Sequence, residues 1–447
     1  MRNEQARAWV EKHENAMRET LDFLWTHPET GYREWESSKF LQNVFESAGY
    51  SVVAPDDIPG FYADIDTGIP GPKVLILCEL DALVAPNHFA AVNRRAHACG
   101  HNAQCAAMTG IALALKEPGA LDGLSGSVRL MAVPAEEGVE IGFRESLRRQ
   151  GTIEYYCGKD EFMRRGYMDG VDIAFMFHTG NREDIAFDCH KGGNGILIQS
   201  IDFIGKPAHA GGSPHLGVNA LYAATLGIQA INALRETFPE SDHIRVHPIM
   251  TSGGESVNII PDHAHLDSYV RGATIEAMAD ANRKINRALA GCAIAMGAGV
   301  HVKNDLSYAP LLNDPNLAEL AVQIMGEISA PEKSILTDHW GGGSTDMGNL
   351  SCIFPCIHPH VHGAGGSSHG DDYYLRDFET ACILSAQGQL LLLNALLKNQ
   401  AEKAKQIIHA FKPRYESIPA YFAAMNAHKK DEDLVVYPNK TQAEAKY

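Results

Sequence analysis

Three short apolar runs, KVLILCELDAL (73–83), GSVRLMAVPAEE (126–137) and VDIAFMFHTG (171–180), alternate with stretches of helical periodicity. Buried strands that alternate with helices predict a doubly wound α/β sheet, because parallel strands need crossover helices that cover both faces. In such sheets the chemistry gathers beyond the carboxyl ends of the strands. Each run ends in polar residues: Asp81, then Glu136 with Glu137, then His178. At 447 residues the chain exceeds one ordinary core. From about Lys191 the pattern changes to strand, helix, strand, strand, helix, ending near Val302. That order suits a compact α+β insert. The expected division is therefore a discontinuous main-sheet domain, 1–190 and 303–447, interrupted by a smaller domain, 191–302. The first 50 residues read as two amphipathic helices split by THPETGYRE. ILSAQGQLLLLNALL reads as a buried helix, too short and too interrupted for a bilayer. A polar tail from about Asn399 is expected to fray at its end.

The segment RRAHACGHNAQCAAM (94–108) places His97, Cys99, His101 and Cys105 at a loop-to-helix junction. Thiolate and neutral imidazole are strong zinc ligands, and a helix N-terminus favours thiolate. Alone, Cys-x-His is a weak signal, since small buried thiols are common, and Cys105 inside the helix reads as core. Adjacent carboxylates such as Glu136 and Glu137 can divide labour, one binding a metal while the other serves as general base. They also suit the first turn of any helix. His178 alone would be a satisfied strand-end histidine. Convergence decides: Cys99, His101, Glu136, Glu137 and His178 all fall where one cleft beyond the strands would gather them. In the insert, GKPAHAGGSP puts His209 in an exposed turn, and Asn258 and Arg271 flank a strand, the arginine suited to bidentate carboxylate recognition. His358, His360, His362 and His369 compete for one further role.

A net charge of -17 without a clustered basic face argues against nucleic acid. Nothing at the start resembles a signal peptide, and no run predicts a membrane partner. Nine cysteines without framework spacing fit reduced thiols in a cytoplasmic enzyme.

HPETGYRE, HACGHN, PAEE, FMFH, GKPAHA, NIIPDHAHLDSYVR and GGSTDMGN occur in an order that resembles the di-metal aminoacylase/carboxypeptidase family of peptidases and amidohydrolases. The similar branch contains aminobenzoyl-glutamate hydrolase, plant auxin-conjugate hydrolases and β-alanyl-lysine dipeptidase. The resemblance spans roughly His27 to Asp377. It implies two divalent ions per subunit and a lid domain that also forms a homodimer. Cys99 would bind both ions, His101 and Glu137 would hold one, and His178 and His369 would complete the pair. Glu136 would be the base, and Asp81 would orient a ligand imidazole. His209 would polarise the scissile carbonyl from the partner subunit, and Asn258 with Arg271 would grip the substrate carboxylate. His369 is chosen because it follows the Gly-rich loop. Asn102 stands where many members have Asp. The interval from Glu137 to His178 is lengthened by a polar excursion, IGFRESLRRQGTIEYYCGKDEFMRRGYMDG, expected to reshape the substrate mouth.

The expected function is metal-dependent hydrolysis of the amide in an N-acyl amino acid or dipeptide, with zinc favoured by mixed N, O and S ligands and manganese or cobalt as alternatives. A hydrolytic deaminase would use the same site on an activated aromatic or amidine carbon. A metal-free dimeric binding module is the reading from another class.

Overall fold

The computed structural model describes residues 1–439 and 442–447; Lys440 and Thr441 of the tail lie outside the described residues. The chain divides into two compact units: Met1–Gly192 with Leu312–Gly341 and Asn349–Ile418, and Gly193–Leu311 with Gly342–Gly348 and Pro419–Tyr447.

The first unit is built on a six-stranded sheet. Its strands include β1 (Val52–Val53), β2 (Phe61–Asp66), β3 (Lys73–Glu79), β4 (Ser127–Val133) and β5 (Ile173–Phe175), in the order β1-β2-β4-β3-β5, with Cys356–Ile357 at the far edge. β3 runs parallel to both β4 and β5, and Cys356–Ile357 runs parallel to β5. β1 and β2 form an antiparallel border. Every residue of β3 after Lys73 is buried, as a strand covered on both faces requires. Beyond β3 the chain makes a small hairpin and enters helix α1 (His101–Ala114), in which all residues but Leu113 are buried. A helix apolar all round belongs in a core. The amino-terminal segment forms three helices rather than the expected two, Asn3–Lys12, Glu14–Thr26 and Trp35–Ser47, because the backbone leaves helical geometry at His13. The apolar stretch near residue 390 lies in a helix, Ser385–Ala410, that bends through non-helical residues Lys398–Ala401. The helical stretch Glu379–Ala410, of which it is part, is long and apolar enough to cross a membrane, but 94% of its apolar window is buried, which makes it a core helix.

The excursion after β4 folds as α2 (Ile141–Gln150) and α3 (Gly158–Arg164) before β5. Next comes β6 (His178–Thr179).

The second unit is an antiparallel sheet of β7 (Gly195–Ile204), β8 (Arg245–Ser252), β9 (His263–Gly272), β10 (Gly299–Tyr308) and β11 (Lys430–Asp433), in the order β8-β9-β7-β10-β11. Helices α4 (Ala220–Leu234) and α5 (Ile275–Met296) pack against it. Asn219 and Thr274 cap them by accepting hydrogen bonds from Tyr222 N and Ala277 N, both 3.0 Å. Buried positions alternate strictly with half-buried or exposed ones along β9, which puts His263, His265, Asp267, Tyr269 and Arg271 on one polar face.

Two boundaries differ from the sequence expectation. Residue 302 lies inside β10, which runs on to Tyr308. The tail expected to fray instead forms β11, which pairs antiparallel with β10 from His301↔Asp433 to Asn304↔Lys430, and a hairpin, Val435–Asn439 with Gln442–Ala445. His301 fixes β11 through both ring nitrogens, Nδ1 to Asp433 Oδ1 at 2.8 Å and Nε2 to Asp431 Oδ1 at 2.7 Å. The charged composition hid this strand, whose role is to satisfy a sheet edge rather than to fill a core.

Candidate metal centre

The carboxyl ends of β3, β4 and β5 deliver Asp81, Glu136 with Glu137, and His178. The start of α1 delivers Cys99 and His101. Gly100 between them has φ +92, and a Cβ there would lie 2.4 Å from Tyr373 Oη, so only glycine admits this junction. On the far side, Ala135 and His369 also adopt left-handed φ, +58 and +62. Such backbone costs about 1–3 kcal/mol per residue and is held only where surroundings over-determine it. Ala135 N donates to Glu34 Oε1 at 2.7 Å, and His369 N donates to Ala98 O at 2.8 Å.

Two trios of donor atoms share one sulfur. Cys99, His101 and His178 have donors all within 4.8 Å of one another, and so do Cys99, Glu137 and His369. Cys99 Sγ lies 3.5 Å from His178 Nε2 and 3.4 Å from His369 Nε2, and His369 Nε2 lies 3.3 Å from Glu137 Oε1. Proximity therefore groups His101 with His178, and Glu137 with His369. His101 Nδ1 donates to Asp81 O at 2.8 Å, which leaves Nε2 as the atom facing the cage. Asp81 also accepts from Glu137 N through Oδ2 at 2.8 Å, so one residue, by its backbone carbonyl and its carboxylate, ties ligands of both trios.

Electrostatics agree with a cation site. Burial and Glu137 push the Cys99 thiol up, yet His101 and His178 outweigh them and bring it down to about 6. Hydrogen bonding to Cys99 and Glu137 raises His369 to about 11. Burial alone would raise Glu137, but His369 and His101 hold it down at about 2. These are groups kept in their charged forms by one another. His101 Nε2, Glu137 Oε1 and Asp81 Oδ1 are buried and lack a hydrogen bond in proper geometry. Orphaned His101 Nε2 and Glu137 Oε1, each within a trio that contains Cys99 Sγ, make an N, O and S donor set that fits a divalent metal with borderline-soft preference.

The remaining candidates fall elsewhere. Cys105 is buried with its Sγ 3.1 Å from Glu79 O, a core position. His97 is buried, and desolvation lowers it to about 3. His358 meets the His178 ring edge-on and His360 lies tilted against it, at centroid distances of 5.4 and 5.1 Å, and His362 Nδ1 accepts from Arg182 N.

In the second unit, His209 Nδ1 accepts from Gly212 N at 2.9 Å and Gly211 N at 3.2 Å. The proton of the neutral ring therefore sits on Nε2, the donor a carbonyl would meet. Ala210 N donates to Asn258 O at 2.9 Å, which places His209 and Asn258 side by side. Arg271 is not with them. It pairs with Ile196 at one end of β9, whereas His263 pairs with Ile204 at the other. Eight residues of strand separate those ends by about 26 Å. Arg271 Nη1 donates to Ser344 Oγ at 3.0 Å.

Three site residues escaped the sequence reading. Glu79, the last residue of β3, lies with Oε2 3.1 Å from His101 Nε2, and Glu79, His101 and Glu136 form a third close trio. Lys159 of α3 is fully buried with Nζ 2.6 Å from Glu79 Oε1. Burial would raise the Glu79 carboxyl, but Lys159 and His101 hold it well below the usual range. Arg144 of α2 is buried and donates to the carbonyls of Tyr156, at 2.8 Å, and of Glu137. Its guanidinium occupies the space a side chain at Gly31 would need. A charge closing a wholly apolar strand was the available signal for Glu79. No spacing marks Lys159 or Arg144. The excursion sends two cations inward.

Thiolate, imidazole and carboxylate donors gathered at strand ends, with a second glutamate beside them, define a metallohydrolase of amide bonds. The chain belongs to peptidase family M20/M25/M40, whose family model matches residues 60–387. It is 28% identical over 373 residues to the Homo sapiens Xaa-Arg dipeptidase, covering 78% of this chain and 77% of that one. It is 27% identical over 310 residues to the N-acetyl-L-cysteine deacetylase of Bacillus subtilis, covering 66% of this chain and 69% of that one. Among solved structures, the Bacillus subtilis YXEP protein, described as a dinuclear metal binding peptidase, shares the fold with a TM-score of 0.64 at 21% identity, covering 86% of this chain and 99% of that one.

Proposed function

We propose that the protein hydrolyses the amide bond of an N-acyl amino acid or dipeptide carrying a free carboxylate, using two divalent ions held by Cys99, His101, Glu137, His178 and His369. The observation that carries this reading is the pair of donor trios sharing Cys99, with Glu136 beside them. Zinc suits the thiolate and imidazole donors best. Bound ions supply Lewis acidity, polarising the amide carbonyl and lowering the pKa of water. Glu136 accepts the proton of the attacking water and returns it to the leaving nitrogen. Asp81 holds the His101 ring and the Glu137 backbone so that their donor atoms stay aimed. Nε2–H of His209 is the donor offered to the developing oxyanion.

The placement of Arg271 supports a homodimer. Since Arg271 lies at the end of β9 opposite to the one that leads into the His209–Asn258 pair, with about 26 Å of strand between those ends, a grip on one substrate by all three would take the arginine of one copy and the pair of another. The names of the dipeptidase and N-acetyl-L-cysteine deacetylase relatives fit a carboxylate-bearing substrate. Nine cysteines, none in a disulfide, fit a reducing cytoplasm.

The test is Glu136→Gln assayed on a panel of N-acyl amino acids and dipeptides. The variant keeps its metal content and loses roughly 10²–10⁴-fold in kcat, the worth of a general base. Full activity in that variant removes Glu136 from the mechanism.

A further inference from the structure

The third donor trio, Glu79, His101 and Glu136, competes with the other two for His101. A cation drawn into it would recruit Glu136 as a ligand, and a carboxylate bound to a metal is a poor proton acceptor. The structure answers this at Glu79. Its Oε1 meets Lys159 Nζ at 2.6 Å, its Oε2 accepts from Gln104 Nε2 at 3.0 Å, and its backbone N donates to Gln104 Oε1 at 3.1 Å. Both carboxylate oxygens are thus occupied by donors that are not metal. Lys159 cannot drift away, because α3 is docked: Gly158 N donates to Ala135 O at 3.3 Å, and any side chain at 158 would collide with Pro134 O. Lys159 and Glu79 are both shut off from water. A buried ammonium is costly unless paired, so its retention there points to a role.

We propose that Lys159 is a positioning residue that withholds Glu79 from metal coordination, so that the Glu79–His101–Glu136 trio stays unfilled and Glu136 is kept for proton transfer. This rests on the metal-dependent reading above. It also gives the inserted excursion a task, since Lys159 reaches the sheet from a helix that the excursion builds. Lys159 acts through Glu79, the carboxylate its ammonium meets.

Lys159→Met, Lys159→Arg, Glu79→Gln and the double variant Lys159→Met/Glu79→Gln test the idea with Co²⁺ and Zn²⁺ as probes. Metal stoichiometry and affinity come from chelator competition, and coordination from the visible spectrum of the Co²⁺ protein. In Lys159→Met, Glu79 enters the coordination sphere: the Co²⁺ bands change position and intensity, Zn²⁺ binding tightens or gains an equivalent, and kcat falls at least 10²-fold with KM within threefold. The double variant regains the wild-type spectrum and at least tenfold of the lost kcat, and Lys159→Arg keeps the wild-type spectrum throughout. An unchanged Co²⁺ spectrum and Zn²⁺ affinity in Lys159→Met, or a double variant no better than the single, overturns the proposal.

Circular dichroism shows whether Lys159→Met folds. If it does not, Glu79→Gln alone decides: metal affinity within threefold of wild type is required, and a loss above 30-fold makes Glu79 a resident ligand and ends the proposal. The spectra use no substrate. A wild type that binds two cations but cleaves no amide therefore ends the hydrolase reading while leaving this one to its own data.

Discussion

Asp81→Asn isolates what holds the cage together. The substitution is nearly isosteric, and Asp81 is wholly buried, so the change is one of charge and hydrogen-bond polarity rather than of packing. In the native chain Oδ2 accepts from Glu137 N at 2.8 Å, Oδ1 lies 3.2 Å from His101 Nδ1, and the backbone carbonyl of the same residue accepts from that nitrogen at 2.8 Å. Asparagine offers one acceptor in place of two, and its NH2 must face either the Glu137 N–H or the His101 Nδ1–H, donor against donor. Losing one charge-assisted hydrogen bond of this kind costs about 1.5–3 kcal/mol, and at about 1.4 kcal/mol per decade that is roughly 10- to 150-fold in an equilibrium constant. Outer carboxylates around metal-ligating histidines contribute about 10–100-fold in affinity, the same range. The assay is Zn²⁺ competition against a chromophoric chelator, with circular dichroism confirming an intact fold. A Zn²⁺ affinity within threefold of wild type would refute the claim that Asp81 orients both trios.

Three further outcomes follow from the same geometry. In metal-free protein Cys99 is alkylated by iodoacetamide with a rate that is half-maximal near pH 6, because the cationic His101 and His178 outweigh burial and Glu137, and added Zn²⁺ protects it; a midpoint near 8–9 contradicts the assignment. Gly100→Ala destabilises the protein by about 2–4 kcal/mol in urea unfolding, combining left-handed backbone with a clash on Tyr373, and a loss under about 0.5 kcal/mol would mean the junction relaxes freely. On the second sheet, hydrogen bonds from Asp202 and Asp267 raise His265 to about 10. A histidine raised on folding stabilises fully below about pH 6.5 and loses that contribution as pH climbs through its folded value. The Tm gap between wild type and His265→Gln is therefore widest near pH 6 and closes above pH 10, and a gap independent of pH would discount the pair.

The legible part of this chain was whatever burial writes into periodicity. β3 could be read because covering both faces demands an unbroken apolar run, and once β3, β4 and β5 were placed, the strand-end rule assembled Asp81, Glu136, Glu137 and His178 without further information. His369 needed more than spacing, since His358, His360 and His362 precede it in one histidine-rich segment; the family pattern selected it, and its positive φ leaves no mark on its residue type. β11 was unreadable because an edge strand of Lys, Asp and Glu looks like a solvated tail until a partner edge is known.

Lys159 shows the limit most clearly. Eighty residues separate it from Glu79, and a lone lysine in a polar segment has every reason to face water. Only the docking of Gly158 against Pro134 and Ala135 turns it inward. Burying both charges costs desolvation that the ion pair offsets only while it stays intact. The arrangement ties the docking of the excursion to the strand end that carries the cage: Arg144, which fills the space a side chain at Gly31 would need, donates to the Glu137 carbonyl, and Lys159 closes on Glu79.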